Sequence, residues 1–293
     1  MPTQVLTFID EDLHETWGIV RGDSVIRYSD IDPGLPPTVA EALRLGRLDW
    51  QLPAGASAGD GSLIPIPIEH ITLLPPVPRP GKIICVGRNY AAHIAETGAY
   101  GLHRTERPSL FLKAPSTAIG CHGSIPIPST SSQLDYEVEL AVIIGRLGKH
   151  IHPDAALEYI AGYTIFNDLS IRDIQFDPLN GSNTVGKNFD GSSAFGPWLT
   201  LADAVPDPQV LGLRTYVNDE LRQSDNTSGM IFTVADIISF VSQQMTLEPG
   251  DVISTGTPAG SAFAEKEPRW LVAGDRIRLE IDCLGSLENE VVG

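Results

Sequence analysis

Three groups of side chains stand at spacings that could do chemistry. Asp135, Glu137 and Glu139 alternate along the run Asp135-Tyr136-Glu137-Val138-Glu139-Leu140-Ala141-Val142-Ile143-Ile144-Gly145. Its β-branched and aromatic residues predict a strand, and side chains alternate faces along a strand. The carboxylates then share one face, and Tyr136, Val138, Leu140, Val142 and Ile144 form a core face on the other. Neighbouring carboxylates repel unless something positive sits between them. Acidic residues are also common on a solvated face, so this pattern alone leaves a metal site and a wet surface equally open. His93 and Glu96 stand three apart within residues 88–98, a short helical pattern stopped by glycine. A carboxylate beside an imidazole fixes its tautomer and raises its basicity, which suits a general base; an inert surface pair has the same spacing. Lys187 lies in a glycine- and serine-rich loop, 181–196, that lacks the GxxxxGK[ST] order of a phosphate loop. By itself it reads as a solvated charge.

The elements that must position these groups follow from turn and periodicity signals. Residues 4–31 read as short strands, with a hairpin at Arg21-Gly22-Asp23. Thr38-Val39-Ala40-Glu41 opens a short helix through a capping-box pattern. Prolines 65, 67, 75, 76, 78 and 80 force an extended path. A boundary placed there divides a small N-terminal α+β module, 1–75, from a larger domain, 76–293. Residues 82–87 predict a buried strand, and 161–168 a strand ending on Asp168. Ser170-Ile171-Arg172-Asp173 starts a helix whose face would carry Asp168, Arg172 and Gln175. Residues 99–107 lack periodicity and are expected to form a lid. A hairpin turns at Asn218-Asp219, and 233–245 has the apolar spacing of a helix. Pro249-Gly250-Asp251 leads into a strand, and Thr255 to Gly260 then either presents N–H groups to an anion or makes a tight turn.

Composition narrows the classes. With 42% hydrophobic and 19% charged residues the chain has the make-up of a soluble globular protein. A formal charge of −17 argues against nucleic acid or an anionic membrane as partner. Cys85, Cys121 and Cys283 are odd in number and widely spaced, which suits neither a disulfide framework nor a zinc site. The first residues lack the basic-then-apolar order of a secretory leader. The expectation is a cytoplasmic protein.

Taken in order, these features resemble the fumarylacetoacetate hydrolase family. The matching segments are VGRNYAAHIAETG at 86–98, DYEVELAVIIG at 135–145, GYTIFNDLSIRDIQ at 162–175, GKNFDGSSAFGPW at 186–198 and GDVISTGTPAG at 250–260. The resemblance implies a mainly β protein with some α, a mixed β-roll or β-sandwich of that family's catalytic-domain type, and a homodimer. Carried over by position, it makes Glu137, Glu139 and Asp168 the metal ligands. His93 and Glu96 become a water-activating dyad, and Lys187 the cation for developing negative charge. Arg88, Tyr90, Arg172, Gln175 and Thr257 become substrate-binding residues. All three ligands are hard oxygen donors, so the implied ion is Mg²⁺, with Mn²⁺ or Ca²⁺ as alternatives. The family's founding hydrolase has a further acidic ligand upstream of its histidine; Val86 to Asn89 offer none, and water is expected in its place. The implied activity is metal-dependent hydrolysis of a C–C bond in 2,4-dioxo acids of the acylpyruvate or fumarylpyruvate type, through an enolate. Oxaloacetate decarboxylation or keto–enol tautomerisation of 2-oxo acids is the alternative, and a non-catalytic member the third.

Overall fold

The computed structural model describes residues 3–48, 63–98 and 103–293. At the centre of a twelve-stranded sheet lies Val138–Ile144, every residue of it buried. It pairs antiparallel with Ile160–Asp168 on one side and Val252–Ser254 on the other. Ile160–Asp168 continues to Ser193–Leu201. Val252–Ser254 runs parallel to Ile83–Gly87, which pairs with Ser109–Lys113 at the edge. Runs of Val, Ile and Leu occupy these strands because both faces are covered.

A second sheet covers one face. Its five strands are Glu220–Asn226, Gly212–Val217, Arg276–Ile281, Gly285–Val292 and Ser124–Pro126, in that order. Leu140, Val142 and Ile165 share a core with Leu213, Leu279, Ile281 and Leu287. The helix Val234–Gln244, started by the Thr233–Asp236 capping box, adds Val234, Ile237, Ile238 and Val241 to it. The result is the expected mainly β architecture of packed, mixed sheets. Among the described residues no helix is long and apolar enough to cross a membrane.

The opposite face carries Ala141, Ile143, Phe166 and Phe195, which Val5, Trp17, Val39 and Leu43 join in a second core. Gln4–Ile9 pairs with Ser193–Leu201 and extends the same sheet, because its buried residues need a covering partner and find it there.

One expected helix is corrected. The helix predicted from Ser170 begins at Arg172 and ends at Gln175, because Ser170–Ile171 first pairs with Leu134–Asp135. Asp168 thus sits on a strand end and shares no helical face with Arg172. Of the expected lid, 99–102 lie outside the described residues, while 103–107 are irregular backbone.

Candidate active site

The strand register assembles the carboxylates. Glu139 pairs across from Phe166, two residues before Asp168, so Glu139 and Asp168 share a face. Glu137 is locked beside them: its carbonyl accepts the Asp168 N–H at 3.0 Å, and its N–H donates to Asn167 Oδ1 at 3.0 Å. Ligand oxygens of Glu137, Glu139 and Asp168 lie within 4.8 Å of one another, and all three residues are buried. That excludes the wet-surface reading. Asp135 turns elsewhere, accepting N–H bonds from Ala262 and Phe263 and the Arg172 Nε bond at 2.9 Å.

Buried cations offset two of the three carboxylates. Arg172 Nη2 donates to Glu137 Oε1 at 2.5 Å. Lys187 Nζ bridges Glu137 Oε2 and Asp168 Oδ2, both at 2.7 Å. This lysine, 3% exposed, is no solvated surface charge. Lys113, which sequence reasoning missed, donates to Asp168 Oδ1 at 2.6 Å. Nothing local marks it; the contact joins residues 55 apart in the chain. Burial works to raise the Glu137 carboxyl, but Arg172 and Lys187 overcome it and hold the group well below the usual range. Burial likewise works to lower the Lys187 ammonium, and Asp168 and Glu137 reverse it.

Glu139 has no such cation. The Ser254 hydroxyl at 2.5 Å and the Gly256 N–H at 2.8 Å both donate to its Oε2, and among the described residues nothing bonds Oε1. Burial, then repulsion from Asp168 and Glu137, pushes its carboxyl up to about 8. An uncompensated buried carboxylate with a bare oxygen, among hard donors only, fits a divalent cation.

A cavity of about 250 Å³ opens over these groups. His93, Arg88, Arg172, Gln175, Lys187 and Thr257 line it with the three carboxylates. His93 Nδ1 lies 2.8 Å from Glu96 Oε1. Glu96 also accepts the Gly260 N–H at 2.9 and 3.1 Å on its two oxygens. A carboxylate held as an acceptor places the neutral imidazole's proton on Nδ1 and leaves Nε2 as the free base. Gln175 Oε1 accepts from Arg172 Nη1 at 2.8 Å. Thr257 accepts from Gln223 Nε2 at 2.9 Å, and Gln223 also takes the Val138 N–H, a tie from the second sheet with no local sequence signal. Tyr90 is not on the cavity: it lies in the larger core, 0% exposed, and among the described residues its hydroxyl has no hydrogen-bond partner.

The turn after Ser254 does both things expected of it. It is tight, and its N–H groups face anions that are the protein's own, Glu139 and Glu96. Gly256 has φ +97°, and a Cβ there would lie 2.7 Å from Asn89 Cβ and 3.0 Å from the Val86 carbonyl oxygen. Gly256→Ala is expected to cost at least about 1–3 kcal/mol through backbone strain. Urea unfolding measures it, and an unshifted midpoint would show the turn to be unconstrained.

Packed sheets that converge buried carboxylates, a lysine and a histidine–glutamate dyad on one small cavity define a metal-dependent enzyme site. Residues 82–292 match the model for the fumarylacetoacetate hydrolase C-terminal domain, and the chain belongs to that family. It is 40% identical over 272 residues to the oxaloacetate tautomerase Fahd2a, mitochondrial, of Rattus norvegicus, covering 92% of this chain and 85% of the relative. Among solved structures it is similar to a fumarylacetoacetate hydrolase from Exiguobacterium antarcticum, with TM-score 0.84 and 35% identity over 99% of both chains. It is also similar to maleylpyruvate hydrolase from Sphingobium sp. SYK-6, solved with manganese(II) and pyruvate. There the TM-score is 0.77 and the identity 29%, over 99% of this chain and 98% of that one.

Proposed function

We propose that this enzyme moves a proton between carbon and oxygen of small 2-oxo dicarboxylic acids at a divalent ion, with oxaloacetate as the test substrate. The observation that carries the reading is His93, tautomer-locked by Glu96, on the same cavity as Lys187 and the three carboxylates. The rat relative's named activity supports it, and a cavity of about 250 Å³ suits a short acid better than a long one. Glu137, Glu139 and Asp168 would hold the ion, which would supply Lewis-acid stabilisation of negative charge on the substrate. His93 Nε2 removes or returns the proton at C3. Lys187 meets the charge that then develops on the 2-oxygen, and water exchanges that oxygen's proton. Arg88, which donates to the Ser109 hydroxyl at 3.2 Å, offers positive charge to the distal carboxylate.

Hydrolysis of acylpyruvates is the second reading. The intact dyad favours it, because His93 Nε2 can equally activate water, and the similar maleylpyruvate hydrolase is consistent with it. Parallel assays with Mg²⁺ or Mn²⁺ separate the two: ketonisation of enol-oxaloacetate followed by absorbance, and acetylpyruvate cleavage followed by NMR. The expected result is accelerated ketonisation. Cleavage without ketonisation would put the hydrolase first.

A further inference from the structure

Gln223 belongs to the second sheet and is 1% exposed. A side-chain amide has two N–H protons and an oxygen with two lone pairs, and here all four are used. Oε1 accepts the Val138 N–H at 3.0 Å and, at 2.9 Å, the hydroxyl of Thr215, its partner across the hairpin. Nε2 donates to Thr257 Oγ1 at 2.9 Å and to the Pro258 carbonyl at 3.0 Å. The amide has one orientation only. A backbone N–H donates and a backbone carbonyl accepts, so a flipped side chain would set oxygen against oxygen at Pro258 and N–H against N–H at Val138.

This bonding ties the second sheet to Val138, which stands between Glu137 and Glu139. It also directs a proton. Thr257 is 4% exposed and lines the cavity. Its hydroxyl oxygen accepts from Gln223, and an amide nitrogen has no lone pair with which to take a proton in return. Among the described residues no protein group accepts the Thr257 hydroxyl proton, which leaves it for whatever fills the cavity. We propose that Gln223 is a positioning residue that makes Thr257 a hydrogen-bond donor to a carboxylate oxygen of the bound 2-oxo acid. A hydroxyl without that neighbour turns freely and presents a lone pair to the anion as readily as its proton. The inference rests on the reading of the cavity as the site of such an acid.

The test is calorimetric titration with oxalate of enzyme saturated with Mn²⁺. The oxalate dianion carries acceptors only, so a hydroxyl that helps to bind it does so by donating. Four proteins are compared: wild type, Thr257→Val, Gln223→Met and the double variant. Loss of a hydrogen bond to a charged group weakens binding about ten- to a hundred-fold, and Thr257→Val should show that loss. Gln223→Met should lose a comparable factor beside the native Thr257 and almost nothing further in the Thr257→Val background. A glutamine that merely braces the sheets would change affinity by the same factor in both backgrounds, and that additive result overturns the proposal. Unchanged oxalate affinity in Thr257→Val overturns it as well, whether or not Gln223→Met folds. Mn²⁺-saturated wild type that binds neither oxalate nor pyruvate would instead remove the reading of the cavity, and the proposal with it.

Discussion

His93→Ala is expected to lose about 10²–10⁴-fold in kcat/KM for ketonisation, and for acylpyruvate cleavage if that is the reaction catalysed, the usual effect of removing a general base. Binding of Mn²⁺ and of oxalate, an enolate mimic, should stay at wild-type strength. The imidazole is committed to Glu96 and not to any of the three carboxylates, so neither interaction uses it. Decarboxylation of oxaloacetate needs stabilisation of charge on the 2-oxygen but no base at carbon or water, and should survive the substitution far better. Lys187→Ala should damage all of these reactions, because each develops charge where that ammonium sits. Rates for the three reactions in wild type and both variants measure this. Equal loss of decarboxylation in His93→Ala would mean that the dyad is not a dedicated base.

In metal-free protein, Glu139→Gln should be more stable than wild type at alkaline pH, and it should take up no divalent ion. Gln keeps an oxygen to accept from Ser254 and Gly256 and loses only the charge that no cation offsets. The sign follows from linkage. The folded carboxyl lies near 8, pushed up by burial and then by Asp168 and Glu137, against an ordinary value of 4.5. Folded protein holds that proton while unfolded protein has released it. The stabilisation at this site is therefore fully present below 4.5 and is lost as pH rises toward about 8, at up to about 1.4 kcal/mol per pH unit. Glu137 adds no slope there: its carboxyl is lowered, so its contribution stays present above its unfolded value. Urea unfolding in chelator across that window should show wild type losing stability relative to Glu139→Gln. Parallel curves would mean that Glu139 is already compensated. By the same linkage, metal uptake should release a proton and weaken below about pH 8.

The expected order of elements held wherever local physics decides. Alternation in 138–144, the glycine-bounded helix at His93 and the helix opened by Thr38 each concern neighbours a few residues apart, and each formed. Ser170 shows the limit: its helix-start pattern yielded to pairing with Asp135, 35 positions earlier, because a buried strand end must satisfy its backbone groups first. The N-terminal residues show it again, since nothing in 4–9 says that their covering partner is Ser193–Leu201.

Residue type and spacing marked the candidate side chains, each with a bland reading beside it: carboxylates on alternate positions, an imidazole three residues from a glutamate, a lysine in a glycine loop. Only the tertiary structure decided which oxygen of each carboxylate is spoken for. Lys113 reaches Asp168 across 55 residues, Ser254 reaches Glu139 across 115, and Lys187 reaches Glu137 across 50. Such contacts leave no periodic trace, because they answer to the charge balance of a closed core and not to the neighbours of any one residue.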